Sequence, residues 1–135
     1  MRLTESQYLT IVGHCYGGLP DEACGLLLGP LGADHITEAR PCRNADASAR
    51  TYTVDPKDML AAMRAAEAAG VEIVGVWHSH THTAAYPSTT DVKQAVDPAW
   101  FYVIVSLADG APQLRCYHIR NGDIEDVTVE LTQPA

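Results

Sequence analysis

The ten residues VEIVGVWHSH, Val71–His80, constrain the chain more than any other stretch. Gly70 stops whatever precedes them. The run that follows is apolar, β-branched and aromatic until it meets two histidines. Such a run reads as the central strand of a sheet. Two shorter apolar runs belong with it, ACGLLLG at 23–29 and Tyr102–Leu107. Strands that are apolar at successive positions are covered on both faces. The chain therefore needs helices packed on its sheet.

Helix signals are present. Thr4 and Gln7 have capping-box spacing, Leu3 and Tyr8 can staple the entry, and Tyr8, Ile11, Val12 and Cys15 share one helical face. Gly17-Gly18 ends that helix. Asp55-Pro56 starts a second one, rich in alanine and methionine, which runs to Ala69. A short third helix is predicted from Ser88 to about Val96, stopped by Asp97-Pro98. The turn Gly29-Pro30-Leu31-Gly32 predicts a returning strand at His35–Ala39. A polar loop follows from Arg40 to Ala49, then a strand at Thr51–Val54. Asn121-Gly122 predicts a hairpin between Leu114–Ile119 and Ile124–Leu131. The order α-β-β-β-α-β-α-β-β-β predicts an α/β or α+β domain, a mixed β-sheet flanked by helices. With no repeat and no linker, residues 1–135 are expected to form a single domain.

Composition excludes some functions. A formal charge of −8 and a pI near 5.0 argue against nucleic acid as a partner, because phosphate binding needs a basic surface. No apolar run approaches the ~20 residues of a membrane helix. MRLTESQYLT lacks the layout of a signal peptide, so the chain is expected to be soluble and cytoplasmic. Cys15, Cys24, Cys42 and Cys116 form no Cys-x-x-Cys pair and are read as reduced, mostly buried apolar residues. Trp77 should point to the sheet face opposite His78 and pack in the core. His14, His35 and His118 lack partners at ligand spacing and are read as structural or surface residues.

Side chains two apart on a strand share a face, so His78 and His80 can reach one ion. A catalytic zinc site takes three protein ligands. The residues offer two candidates for the third. His82 continues the alternation, and Asp91 lies in the first turn of the third helix, where Ser88 is the cap. By residue type Glu38, Glu67 and Glu72 stand level with Glu22 as the carboxylate of such a site. Only the position of Glu22, directly before a buried strand, favours it. Arg50, Tyr52 and the loop before them read as surface, with contact to an extended substrate tail as the alternative.

His78-Ser79-His80, seven residues, Ser88, two residues and Asp91 resembles the signature of the JAMM metalloproteases, also called the MPN+ domain. That signature is His-x-His-x7-Ser-x2-Asp with a glutamate well upstream, matched by Glu22 in PDEACGLLLG. The resemblance covers essentially the whole chain. It implies a fold similar to that of cytidine deaminase, and a zinc ion held by His78, His80 and Asp91 with water in the fourth position. It also implies Glu22 as general base and acid, and Ser88 as a donor to the oxyanion. The chemistry is coherent. Zinc lowers the pKa of water to ~7, a carboxylate relays the proton, and a hydroxyl aimed at the oxyanion contributes ~3 kcal/mol. The usual form of the motif has proline after the second histidine. Here Thr81 and His82 stand there, and His82 is read as lying beside the ligands or on the substrate side.

PDEACGLLLG is similar to the small stand-alone bacterial and archaeal members. HSHTHTAAYPSTTDVKQA and YVIVSL resemble actinobacterial members that act on a sulfur carrier. This implies a small ubiquitin-like sulfur carrier protein with a C-terminal Gly-Gly as partner, and release of cysteine from its last glycine. Removal of ubiquitin-like modifiers from lysine is the nearest alternative. A non-catalytic scaffold on the same fold is disfavoured, because all five site positions are filled. A deaminase would need His-x-Glu and Pro-Cys-x-x-Cys, and neither occurs.

Overall fold

The computed structural model describes residues 1–133. Along the chain run β1 (Arg2–Thr4), α1 (Glu5–Gly17), β2 (Cys24–Gly29), β3 (Glu38–Cys42), α2 (Pro56–Ala69), β4 (Glu72–His80), α3 (Thr89–Gln94), β5 (Phe101–Ser106), β6 (Gln113–Arg120), β7 (Asp123–Val127) and β8 (Glu130–Thr132). Six strands form one mixed sheet in the order β3-β2-β4-β5-β6-β7, and β1 pairs with β8 in a separate two-stranded sheet. Only β4 and β5 run parallel in the large sheet, joined across the stretch that contains α3. Every residue of β2 and of β5 is buried. The expectation of a sheet covered on both faces is met. One face packs Leu27, Trp77, Val103 and Val105 with Ile11, Val12 and Cys15 of α1. The other packs Leu26, Leu28, Val76 and Ile104 with Ala62 and Ala66 of α2.

The helix signals describe the caps well. Thr4 and Gln7 make the capping box of α1. Asp55 caps α2 with Pro56 at its first position, and Gly70 ends it in the left-handed region at φ 69°. No helix among the described residues is long and apolar enough to cross a membrane.

Four expectations need correction. The returning strand lies at Glu38–Cys42 rather than His35–Ala39, because β3 pairs with β2 from Leu28↔Glu38 to Cys24↔Cys42. His35 makes only an isolated bridge to Arg2. Thr51–Val54 is not a strand. It contributes one bridge, Val54 to Asn44, and the main-chain groups of Thr51 and Thr53 bond within the loop. The last strand splits after Val127, and β8 leaves the large sheet to pair parallel with β1. The three-residue β1 itself was missed, since it is too short for a periodicity signal and is fixed by partners 128 residues away, such as Glu130 for Arg2.

Trp77 is fully buried on the α1 face and meets His14 edge-on, with ring centroids 5.3 Å apart. Gly25 is its cross-strand partner, and a Cβ at Gly25 would overlap the Trp77 indole and crowd the Arg40 carbonyl. Gly25→Ala is therefore expected to cost about 3 kcal/mol or more, an overpacking penalty in a core without slack. Gly110→Ala, where an added Cβ meets nothing within 4 Å, should stay within about 0.5 kcal/mol of the parent. Equilibrium urea unfolding of the two variants checks the contrast.

Candidate metal centre

His78 and His80 are the last alternating pair of β4, on the face away from Trp77. They are 4% and 5% exposed. After His80 the chain turns back. Ser106 at the end of β5 donates to the Thr83 carbonyl at 2.6 Å, and the His80 Nδ1–H donates to the Ala84 carbonyl at 2.8 Å. A carbonyl only accepts, so this bond places the proton on Nδ1 and leaves a lone pair on Nε2. The returning chain enters α3 through Ser88. Its hydroxyl accepts the Asp91 N–H at 3.1 Å, and the Asp91 carboxylate accepts the Ser88 N–H at 2.9 Å. This reciprocal cap aims Asp91 at the histidines.

The three donor atoms converge. His78 Nε2 is 3.2 Å from His80 Nε2, and Asp91 Oδ2 is 3.3 Å and 3.0 Å from these two nitrogens. Ligands about 2.05 Å from a tetrahedral ion are about 3.3 Å apart, so the spacing matches three corners of a zinc coordination sphere. Three groups able to hold a metal ion lie together here. The donor set, two imidazoles and one carboxylate, suits zinc. Electrostatics couple the three groups. Burial pushes His78 down, toward the neutral form that ligates. Burial also lowers His80, but its bonds to Asp91 and Ala84 carry it up overall. Asp91 is raised by burial, yet the bonds from His78 and His80 outweigh this and hold it well below the usual carboxylate range.

Glu22 arrives from the neighbouring strand. Cys24 lies opposite His78 in the register, so Glu22, two residues earlier, continues toward His80 on the same face. Ser79, between the histidines, locks this alignment. The Ala23 N–H donates to the Ser79 hydroxyl at 2.9 Å, and the Ser79 N–H donates to the Ala23 carbonyl at 3.0 Å. Glu22 is only 6% exposed, and burial raises its pKa to about 7, partly offset by His80 and reinforced by Asp91. The other glutamates are elsewhere. Glu38 is on the edge strand β3, Glu67 is exposed on α2, and Glu72 begins β4 at the end far from the histidines.

His82 lies exposed on the returning loop, outside the converging group. Cys24 is buried on β2, with its thiol toward the Arg43 carbonyl at 3.5 Å. His14 bonds the Cys42 carbonyl and His118 the Trp100 carbonyl, structural contacts in both cases. Sequence reasoning missed how closely Tyr52 is involved. Its ring stacks on His78 at 4.2 Å and 18°. No spacing signal links residues 26 apart on separate elements. A cavity of about 290 Å³ opens beside Asp91, bounded by Tyr52, Val76, Val96, Trp100 and Tyr102.

Comparison with known proteins gives the same picture. Residues 4–119 match the family of prokaryotic homologues of the JAB domain. Over 124 residues the chain is 41% identical to the CysO-cysteine peptidase of Mycobacterium tuberculosis, covering 91% of this chain and 85% of that protein. It is 38% identical over 91 residues to a desampylase of Haloferax volcanii, covering 67% of this chain and 66% of that one. A solution structure of a Desulfitobacterium hafniense protein superposes with a TM-score of 0.89 at 32% identity, covering 98% of this chain and 93% of that chain. A JAB1/MPN domain protein of Archaeoglobus fulgidus shares the fold, with a TM-score of 0.60 at 21% identity over 96% of this chain and 98% of that chain. The chain thus belongs to the JAB family of JAMM/MPN domains, in its prokaryotic branch.

Proposed function

We propose that residues 1–135 work as one domain, a zinc metallopeptidase that hydrolyses the amide after the C-terminal glycine of a small ubiquitin-like sulfur carrier and releases cysteine. The observation that carries the peptidase reading is the convergence of His78, His80 and Asp91 beside the buried Glu22. The substrate rests on the likeness to the mycobacterial CysO-cysteine peptidase over most of both chains. A cytoplasmic place suits the four thiols, all free and buried.

His78, His80 and Asp91 would hold a zinc ion, which would supply Lewis-acid activation of water and of the scissile carbonyl. The protein's own groups do the rest. Glu22, with its pKa raised to about 7, accepts a proton from water and returns it to the departing amine near neutral pH. Ser88 uses its oxygen to accept the Asp91 N–H, so its own proton remains available for the developing oxyanion. Tyr52 covers the outer face of His78 and borders the cavity beside Asp91, which gives an extended tail a place to lie. A Gly-Gly end suits that approach, because side chains next to the cleaved bond would crowd the buried histidines. A second reading, removal of a ubiquitin-like modifier from lysine, is favoured by the likeness to the haloarchaeal desampylase.

Three measurements test this reading. Metal analysis should find one zinc per chain, lost in His78→Ala and Asp91→Ala and kept in His82→Ala. Zinc lost from His82→Ala but retained by Asp91→Ala would reverse the ligand assignment. Glu22→Gln should keep its zinc and lose turnover by a factor of about 10²–10⁴, the usual worth of a general base. Full activity in that variant removes Glu22 from the reaction. Given a carrier–cysteine adduct and, separately, a carrier–lysine isopeptide, the zinc enzyme should cleave the first and leave the second. The opposite preference selects modifier removal, and cleavage of neither by the zinc-loaded protein points to a binding module.

A further inference from the structure

Glu22 lies just outside the sheet ladder, since β2 begins at Cys24. Its main-chain groups are instead both taken by one loop, residues 44–53. The Glu22 N–H donates to the Ser48 carbonyl at 2.8 Å, and the Glu22 carbonyl accepts the Asn44 side-chain amide at 3.0 Å. The rest of the Asn44 side chain is equally committed. Its second N–H donates to the Thr51 carbonyl at 3.0 Å, and its oxygen accepts the N–H groups of Asp46 and Thr53, each at 3.0 Å. Two donors and two acceptor sites are the whole capacity of a carboxamide. Two carbonyls face one end of the group and two N–H groups the other, which sets its orientation.

The placement of these bonds is informative. Thr51 and Thr53 flank Tyr52, whose ring stacks on His78. One side chain thus joins the main chain of Glu22 to the residues on either side of the tyrosine that backs a metal-facing histidine. Thr81, directly after His80, adds a hydroxyl bond to the Ala49 carbonyl at 3.3 Å. The one bridge of this segment, Asn44 to Val54, joins its own two ends and lies outside the named strands.

We infer that Asn44 is a positioning residue for the reaction: its carboxamide sets where Glu22 stands relative to His78 and His80, and where Tyr52 lies against His78. All four of its side-chain bonds go to main-chain groups. The assignment rests on the peptidase reading for its consequence, but its structural half stands without it. Misplacing a general base by about 1 Å costs on the order of 10²-fold in rate.

The test uses the full chain loaded with zinc. Asn44→Ala removes all four bonds. Asn44→Asp keeps the acceptor side and loses the donors to Glu22 and Thr51, and it serves if the alanine variant fails to fold. Amide hydrogen exchange should quicken at Glu22 in both variants, and at Thr53 in Asn44→Ala, while the strand amides of Leu26–Leu28 stay protected, with one zinc retained. With the carrier–cysteine adduct, kcat should fall by at least about tenfold and KM stay within about threefold. The same substitution placed on Glu22→Gln should add little further loss, since two changes that act through one group do not multiply. Unchanged exchange at Glu22 overturns the inference whether or not the protein is active. A kcat loss that multiplies fully with that of Glu22→Gln also overturns it, showing a general structural role. If the parent protein cleaves neither substrate, the peptidase reading fails, and the exchange result still decides whether Asn44 positions Glu22.

Discussion

The antiparallel pairing of β2 with β4 is the contact on which the centre depends. Its register puts Cys24 opposite His78 and Gly25 opposite Trp77. A slip of one residue would turn every side chain of β2 to the other face. Glu22 would then face α1 instead of the histidines, and a leucine would collide with the Trp77 ring. Two features enforce the same alignment. On the α1 face, the absence of a side chain at Gly25 leaves room for the indole. Within the ladder, the Ser79 hydroxyl takes the Ala23 N–H as the strand pair ends. Core packing and the placement of the candidate base are therefore one constraint.

Asp91 shows a second economy. A short helix with no buried residue of its own has little packing to hold it. Its start is instead held by the reciprocal cap between Ser88 and Asp91, and the same carboxylate oxygen that accepts the Ser88 N–H also faces His78 and His80. Local helix chemistry and long-range convergence thus use one atom. The result is a cluster of three ligating atoms at close range, with His80 Nε2 3.0 Å from the Asp91 carboxylate. Two imidazoles and a carboxylate at such spacing suit a divalent cation, which is why the cluster reads as a metal centre.

Local chemistry made several elements legible. The capping boxes at Thr4 and Ser88, the proline at the first position of α2 and the stop at Gly70 depend on neighbours within four residues. The apolar runs of β2, β4 and β5 report burial on both faces, which is a property of composition. The elements that were misread depend on distant partners. The strand β3 shifted by three residues because its limits are set by β2, and β8 left the hairpin partner because β1 was free to receive it. Residues up to Ala49 looked like a plain polar loop and Thr51–Val54 like a strand, yet the polar side chain of Asn44 ties the whole segment together from within.

By itself the sequence determined that His78 and His80 share a face, that Asp91 begins a capped helix, and that a covered mixed sheet must carry them. These follow from the periods of strand and helix and from capping chemistry, which act over a few residues. Through the spacing of its motif it also pointed to the family. Only the tertiary structure put Glu22, and not Glu38, Glu67 or Glu72, on the sheet face of the histidines and at their end of it, through the register with a strand 56 residues away, in which Ala23 meets Ser79. It likewise decided that Tyr52 backs His78 and that Asn44 ties the two sides together. Contacts between residues far apart in sequence leave no periodic trace in either partner, so they exist only once the sheet has closed.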